Sequence, residues 1–180
     1  IKVLLSEARD LYRQGGALVD DETQMVHIGR EMVDQALSTA PKSISLKAGS
    51  PKRDLVLELG TLVIQPGAGA PHASDLIRGR RPGTIDDFRA FTRLTDHFDV
   101  LHMVPPVVEA QDVAPHLRHY AMTEAELTLT DKLPFVYSRG TSQVMDCFEM
   151  VRQFRGLSEQ AFLADSHCYT IINTNSPRQL

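Results

Sequence analysis

Thr84-Ile85-Asp86-Asp87-Phe88 opens the stretch whose reading decides the fold, and Val100-Leu101-His102-Met103-Val104-Pro105-Pro106 closes it. Thr84 has the side chain of an N-cap, Asp86 and Asp87 place negative charge in a first helical turn, and Ile85, Phe88, Phe91, Leu94 and Thr95 form one buried stripe. The apolar run 100–104 then reads as a strand that the two prolines stop. Downstream the alternation repeats: a helix from about Ala114 to Leu129, a strand at Phe135–Ser138, a helix at Ser142–Phe154, a short helix at Ser158–Ala164 and a strand at Tyr169–Asn173. Strands separated by helices imply βαβ units and a parallel sheet, either doubly wound or barrel-forming. A closed (β/α)8 barrel takes ~250 residues, so in that case a chain of this length supplies about the first half of a TIM barrel.

Upstream of Thr84 the pattern differs. Val3, Leu4, Ala8, Leu11 and Tyr12 share a helical stripe that Gly15-Gly16 ends, and Met32, Val33, Ala36, Leu37 and Ala40 form a second one that stops at Pro41. Two helices are therefore expected before any sheet. Residues 43–65 change to short β-like runs, Ile44–Ala48, Leu55–Leu59 and Leu62–Ile64, which read as hairpin-like strands, and Pro66-Gly67-Ala68-Gly69-Ala70-Pro71 follows as a loop of small side chains. The expectation is one incomplete α/β domain: a helical segment over 1–42, a β-rich segment with the glycine loop over 43–80, and the alternating barrel portion over 81–180. The start at Ile1, already inside an apolar stripe, and the turn-rich residues after Asn173 read as cut ends.

Composition removes several classes of function. A formal net charge of -4 with one short basic cluster, Arg78-Gly79-Arg80-Arg81, argues against a nucleic-acid partner, and that cluster reads as a solvated turn. No apolar run approaches the ~20 residues of a bilayer span, no segment has signal-peptide layout, and a cytoplasmic enzyme is expected. Cys147 and Cys168 form no CxxC motif and are read as reduced, structural thiols.

Local motifs offer little catalytic machinery. Gly67-Ala68-Gly69 lacks the third glycine of a dinucleotide fingerprint and no GK[ST] follows, although such a loop lets a ligand approach main chain, with His72 and Asp75 just beyond it. His116 and His119, three apart on a helix near Glu124 and Glu126, lack HExxH spacing; they are read as solvent-facing, and no metal site is expected. His27, His97, His102 and His167 are given structural or surface roles. No GxSxG elbow occurs, and Asp20-Asp21 and Asp86-Asp87 suit turn and helix capping better than acid–base work. What remains is position. In a parallel barrel the residues past each strand's C-terminal end face the substrate, which selects Gly67, Gly69, His72, Asp75, Tyr137, Ser138, Thr141, Asn173, Asn175 and Ser176. No catalytic residue is assigned.

Several ordered blocks carry a family resemblance: Gly15-Gly16-Ala17 with Val19-Asp20, Ala36-Leu37-Ser38-Thr39-Ala40-Pro41-Lys42, the Pro66–Pro71 loop, Arg81-Pro82-Gly83-Thr84 ahead of an aromatic-rich helix, Thr130-Asp131-Lys132 before Pro134-Phe135, and Asn173 through Pro177. In this order they resemble the N-terminal portion of the trimethylamine methyltransferase family, corrinoid-dependent enzymes that act on methylated amines and betaines. The resemblance implies a TIM-barrel subunit that takes a methyl group from a tertiary or quaternary amine, trimethylamine or a betaine, and hands it to the cobalt of a corrinoid (cobalamin) carried on a partner protein. It implies no cofactor bound tightly by this chain, and a homo-oligomer. Quaternary ammonium is held by aromatic faces, and Tyr137 is the best-placed aromatic residue. A non-catalytic ligand-binding or scaffold relative of the same barrel is the competing expectation, and an unrelated α/β hydrolase or lyase a third.

Overall fold

Val3 and Val26 are almost wholly buried, and burying them costs the first expected helix its opening residues. In the computed structural model, which describes residues 1–172 and 178–179, the chain divides into two compact units, Ile1–Lys42 with Ile172–Leu180, and Ser43–Ile171. In the first unit Lys2–Val3 forms a two-residue strand β1, and the helix α1 begins only at Ser6 and runs to Gln14. It ends as the glycines require: the Ala17 amide donates to the Tyr12 carbonyl at 3.0 Å while Gly16 takes φ +94°. Two strands that the helical reading of residues 1–42 missed follow, β2 (Leu18–Asp20) and β3 (Met25–His27), paired antiparallel with Val19 opposite Val26. They are too short for alternation to stand out, and the turn between them is made by Asp20, whose Oδ1 accepts from the Glu22 amide at 3.0 Å. β1 joins β3 on one side and the two-residue strand Arg178–Gln179 on the other. Arg9 of α1, itself buried, donates to the carbonyls of Val3 and Leu4 at 3.0 and 2.9 Å and so satisfies acceptors at the end of β1. The helix α2 (Arg30–Thr39) stops ahead of Pro41.

In the second unit β4 (Ser43–Leu46) and β5 (Leu55–Glu58) form the expected hairpin, with Leu46 opposite Leu55. The third run, Leu62–Ile64, does not join it. Instead the Ile64 carbonyl accepts from the His102 amide at 2.8 Å and the Ile64 amide donates to His102 Nδ1 at 3.1 Å. A second hairpin, β6 (His72–Asp75) with β7 (Gly79–Pro82), precedes α3 (Ile85–His97). The basic cluster 78–81 is exposed from Arg78 to Arg80, at the hairpin turn and the start of β7, and it is also ion-paired: Arg78 and Arg81 both reach Asp75 and Asp87. Thr84 makes the full capping box, its Oγ1 accepting from the Asp87 amide and its amide donating to Asp87 Oδ2, each at 3.2 Å. Phe88, Thr92 and Thr95 face inward, whereas Leu94, expected on the stripe, is half exposed.

From there β8 (Met103–Val104), α4 (Arg118–Leu129), β9 (Leu133–Pro134), α5 (Thr141–Phe154) and α6 (Glu159–Ala164) follow the predicted alternation. β8 and β9 are parallel, and single parallel bridges, Ala70 with Val108 and Phe135 with Tyr169, extend the ladder to either side. Segments near 64–70, 102–108, 133–136 and 169 thus lie side by side. The strand expected at 169–173 contributes only at Tyr169 among the described residues. The core beneath the helices is Ala73, Phe88, Val108, Ala110, Met122, Ala125, Phe135 and Tyr137. Lys132, fully buried, donates to the carbonyls of Thr95 and Phe98 at 2.5 and 2.8 Å and so closes the C-terminal end of α3. The architecture is mixed α/β, with small sheets and an open parallel ladder; among the described residues no barrel closes.

Candidate functional site

Pro105 and Pro106 remove ladder donors, yet the chain does not leave the core after them: Val108, Glu109 and Ala110 are all buried, and the Glu109 amide donates to the Ala70 carbonyl at 2.9 Å. Backbone pairing thereby pins an acidic side chain five residues past the end of β8. A buried carboxylate needs donors, and Glu109, only 7% exposed, has three. Its Oε1 accepts from Tyr137 Oη at 3.2 Å and from Arg139 Nη2 at 2.9 Å, and its Oε2 accepts from Arg118 Nη1 at 3.4 Å. Tyr137 and Arg139 come from the segment just past β9, and Arg118 is the first residue of α4. The site therefore stands at the C-terminal ends of two adjacent parallel strands.

Tyr137 Oη also lies 3.6 Å from Met122 Sδ, but it has one proton, and the carboxylate is the stronger acceptor. Burial, with Glu109 and Glu126 nearby, pushes the Tyr137 hydroxyl well above the ordinary tyrosine range, so it is a neutral donor. The Tyr137 ring meets Phe135 edge-on at 5.5 Å, and Phe135 meets Tyr169 in the same way at 5.3 Å, an aromatic row along the inner wall. The Arg139 guanidinium carbon sits 5.3 Å from the centroid of the Tyr137 ring. Pro115, Arg118, His119, Tyr137, Arg139 and Gln143 enclose a cavity of about 180 Å³.

His119 forms the far side of this cavity. It is 4% exposed, its Nε2 lies 3.0 Å from Asp146 Oδ2, and its Nδ1 is buried with no hydrogen-bond partner among the described residues. Hydrogen bonds from Tyr120 and His119 hold the Asp146 carboxyl below the usual carboxylate range. The expectation that His116 and His119 both face solvent is thus corrected: His116 is exposed, but His119 turns inward because α4 packs between α3 and α5. Glu126, on the same inward face, is fully buried and accepts the Phe135 amide at 2.9 Å. Its burial raises the carboxyl well above the ordinary range. Among the described residues no three His, Cys, Asp or Glu side chains converge as a metal site would require. Burial also raises both thiols, Cys168 to about 12, which leaves neither as a ready nucleophile.

Of the residues singled out by position, Tyr137 lies within the cluster, and Ser138 and Thr141 are exposed on the segment that carries Arg139. Gly67 and Gly69 lie on an exposed loop, where Gly69, at φ +77°, donates its amide to the Pro106 carbonyl at 2.8 Å. His72 and Asp75 are on the β6–β7 hairpin: His72 Nδ1 is 3.2 Å from Arg80 Nη2, and Asp75, held by Arg78 and Arg81, lines a different cavity of about 210 Å³. Asn173, Asn175 and Ser176 lie outside the described residues. Glu109 and Arg118 were missed, His119 was read as solvent-facing, and Arg139 was not singled out from the 138–141 segment. One signal was available: Thr123 and Glu126 follow His119 at i+4 and i+7 and so share its face of the helix, which is buried.

Comparison with known proteins agrees with the ordered blocks. The chain is 28% identical over 144 residues to a glycine betaine methyltransferase of Desulfitobacterium hafniense (strain Y51), covering 79% of this chain and 30% of that protein. It is 28% identical over 158 residues to the trimethylamine methyltransferase MttB of Desulfitobacterium hafniense (strain DSM 10664 / DCB-2), covering 87% of this chain and 32% of that protein. The chain therefore spans about a third of the length of these curated relatives. The family model for trimethylamine methyltransferase (MTTB) matches residues 1–180, the whole of the sequence, and the chain belongs to that family.

Proposed function

We propose that the protein containing this chain is a methyltransferase that removes a methyl group from a tertiary or quaternary methylated amine, trimethylamine or a betaine, for delivery to a corrinoid held by a partner protein. The observation that carries the reading is the family match over residues 1–180, which two methyltransferase relatives support. The parallel ladder suits one wall of a TIM barrel, with the Glu109 cluster at its catalytic end. The cavity of about 180 Å³ beside Glu109 is lined by the Tyr137 ring and by polar and charged side chains. That lining suits a small cationic amine, and in this reading the corrinoid stays on the partner protein. In this reading the corrinoid supplies the cobalt that accepts the methyl group, and the chain's own residues bind and orient the amine and keep water away. A cytoplasmic, homo-oligomeric protein without a nucleic-acid partner completes the proposal; no helix among the described residues is long and apolar enough to cross a membrane.

The test is direct. The full-length protein, mixed with cob(I)alamin and trimethylamine or glycine betaine, should produce methylcobalamin, read from its absorbance. If no tertiary or quaternary amine yields it, the methyltransferase reading fails.

A further inference from the structure

Arg139 differs from the groups that hold it. Glu109 is 7% and Tyr137 8% exposed, each fixed by backbone pairing or core packing, while the Arg139 side chain is 60% exposed. Its guanidinium nevertheless lies over the Tyr137 ring, with Nη2 2.9 Å from Glu109 Oε1. A buried carboxylate beside an aromatic face is the chemistry that recognises an organic cation, and here an exposed side chain of the same protein occupies it.

We propose that Arg139 is an internal stand-in for the ligand, and that a compact methylated ammonium binds on Tyr137 against Glu109 by displacing it. The proposal rests on the methylated-amine reading above and names its recognition site. Charge is conserved in the exchange, since one cation leaves for solvent as another enters. Glu109 is never left bare, because Arg118, 17% exposed and also bonded to the Val113 carbonyl at 3.2 Å, keeps its hold on Oε2. Glu109 is buried while Arg139 is exposed, so the departure of Arg139 is compensated only when another cation takes its place against the carboxylate. Gly140, at φ +111°, links it to α5 and accepts a backbone conformation that other residues resist.

A self-occupied site binds its ligand more weakly in proportion to the fraction of molecules in which it is free. If Arg139 fills the site in about nine molecules of ten, Arg139→Ala tightens binding of tetramethylammonium about tenfold, measured by titration calorimetry on the full-length protein. Arg139→Lys should return most of the competition, and Glu109→Gln should weaken binding in both backgrounds. Thermal melts identify any variant that fails to fold, and Tyr137→Leu then tests the same subsite independently. Turnover adds a second readout: Arg139→Ala should lower KM for the amine. Unchanged or weaker tetramethylammonium binding in Arg139→Ala overturns the proposal. So does weaker binding confined to glycine betaine, which would make Arg139 a partner for the carboxylate. Turnover with an Arg139→Ala variant whose affinity is unaltered removes the stand-in and leaves the methyltransferase reading intact; tighter binding of tetramethylammonium without any turnover does the reverse.

Discussion

Glu126 shows what one buried carboxyl does to the whole chain's response to pH. Among the described residues it accepts one hydrogen bond, from the Phe135 amide, and burial favours its protonated form. Between the ordinary glutamate value, ~4.3, and its raised folded value, the folded protein binds more protons than the unfolded one. The linkage slope is then negative, and stability present below that window is lost as pH rises through it. Glu126→Gln keeps the shape and an acceptor for Phe135 and removes the titration. Urea midpoints taken across the mildly acidic to neutral range should therefore fall more steeply in the parent than in the variant; equal slopes would mean that Glu126 is not protonated in the fold. At this scale the sequence was least legible. Tyr137 could be found because strand ends are visible, but Glu109 could not, since Pro105-Pro106 reads as a stop while the chain runs on, buried, past it. Arg118 was hidden because a helix surface carries the same residue types, and the face shared by His119, Thr123 and Glu126 was blurred by Glu124 and Thr128 on the same helix.

At the scale of elements, the start of α3 was readable to the residue because its signals are local: the N-cap and the acidic first turn sit within four residues. The short strands of the first unit were not, because two or three residues carry no periodicity and their pairing depends on partners remote in sequence. Gly83 joins the two scales. A methyl group there would meet the Val108 side chain and lie 2.6 Å from the Glu109 carbonyl, so the start of α3 is packed directly against the backbone that carries the site. Gly83→Ala should destabilise by ~1–3 kcal/mol through overpacking, measured by denaturant unfolding, and it should weaken amine binding as well. A stability loss with unaltered binding would show that the strain is absorbed on the helix side.

For the whole molecule, the parallel alternation was legible and its closure was not, since closure depends on pairing between elements distant in the chain. Solution behaviour is a further whole-molecule property. Leu76 and Ile77, at the tip of the β6–β7 hairpin, are 106% and 95% exposed, and apolar surface of this kind promotes self-association. Replacing both by serine should leave stability within ~0.5 kcal/mol and reduce association in sedimentation experiments. Unchanged sedimentation would assign any oligomer to another surface.

The aromatic row has an optical consequence. The chain has four tyrosines and no tryptophan, so its near-ultraviolet absorbance and emission are not masked by indole. Tyr137 and Tyr169 share Phe135 as an edge-on neighbour, and one of them forms a wall of the cavity. In a protein of this kind, exchanging one cation for another over that ring becomes a colourless event with an intrinsic reporter. Within residues 1–180, the near-ultraviolet dichroism of these tyrosines would report occupancy of the site.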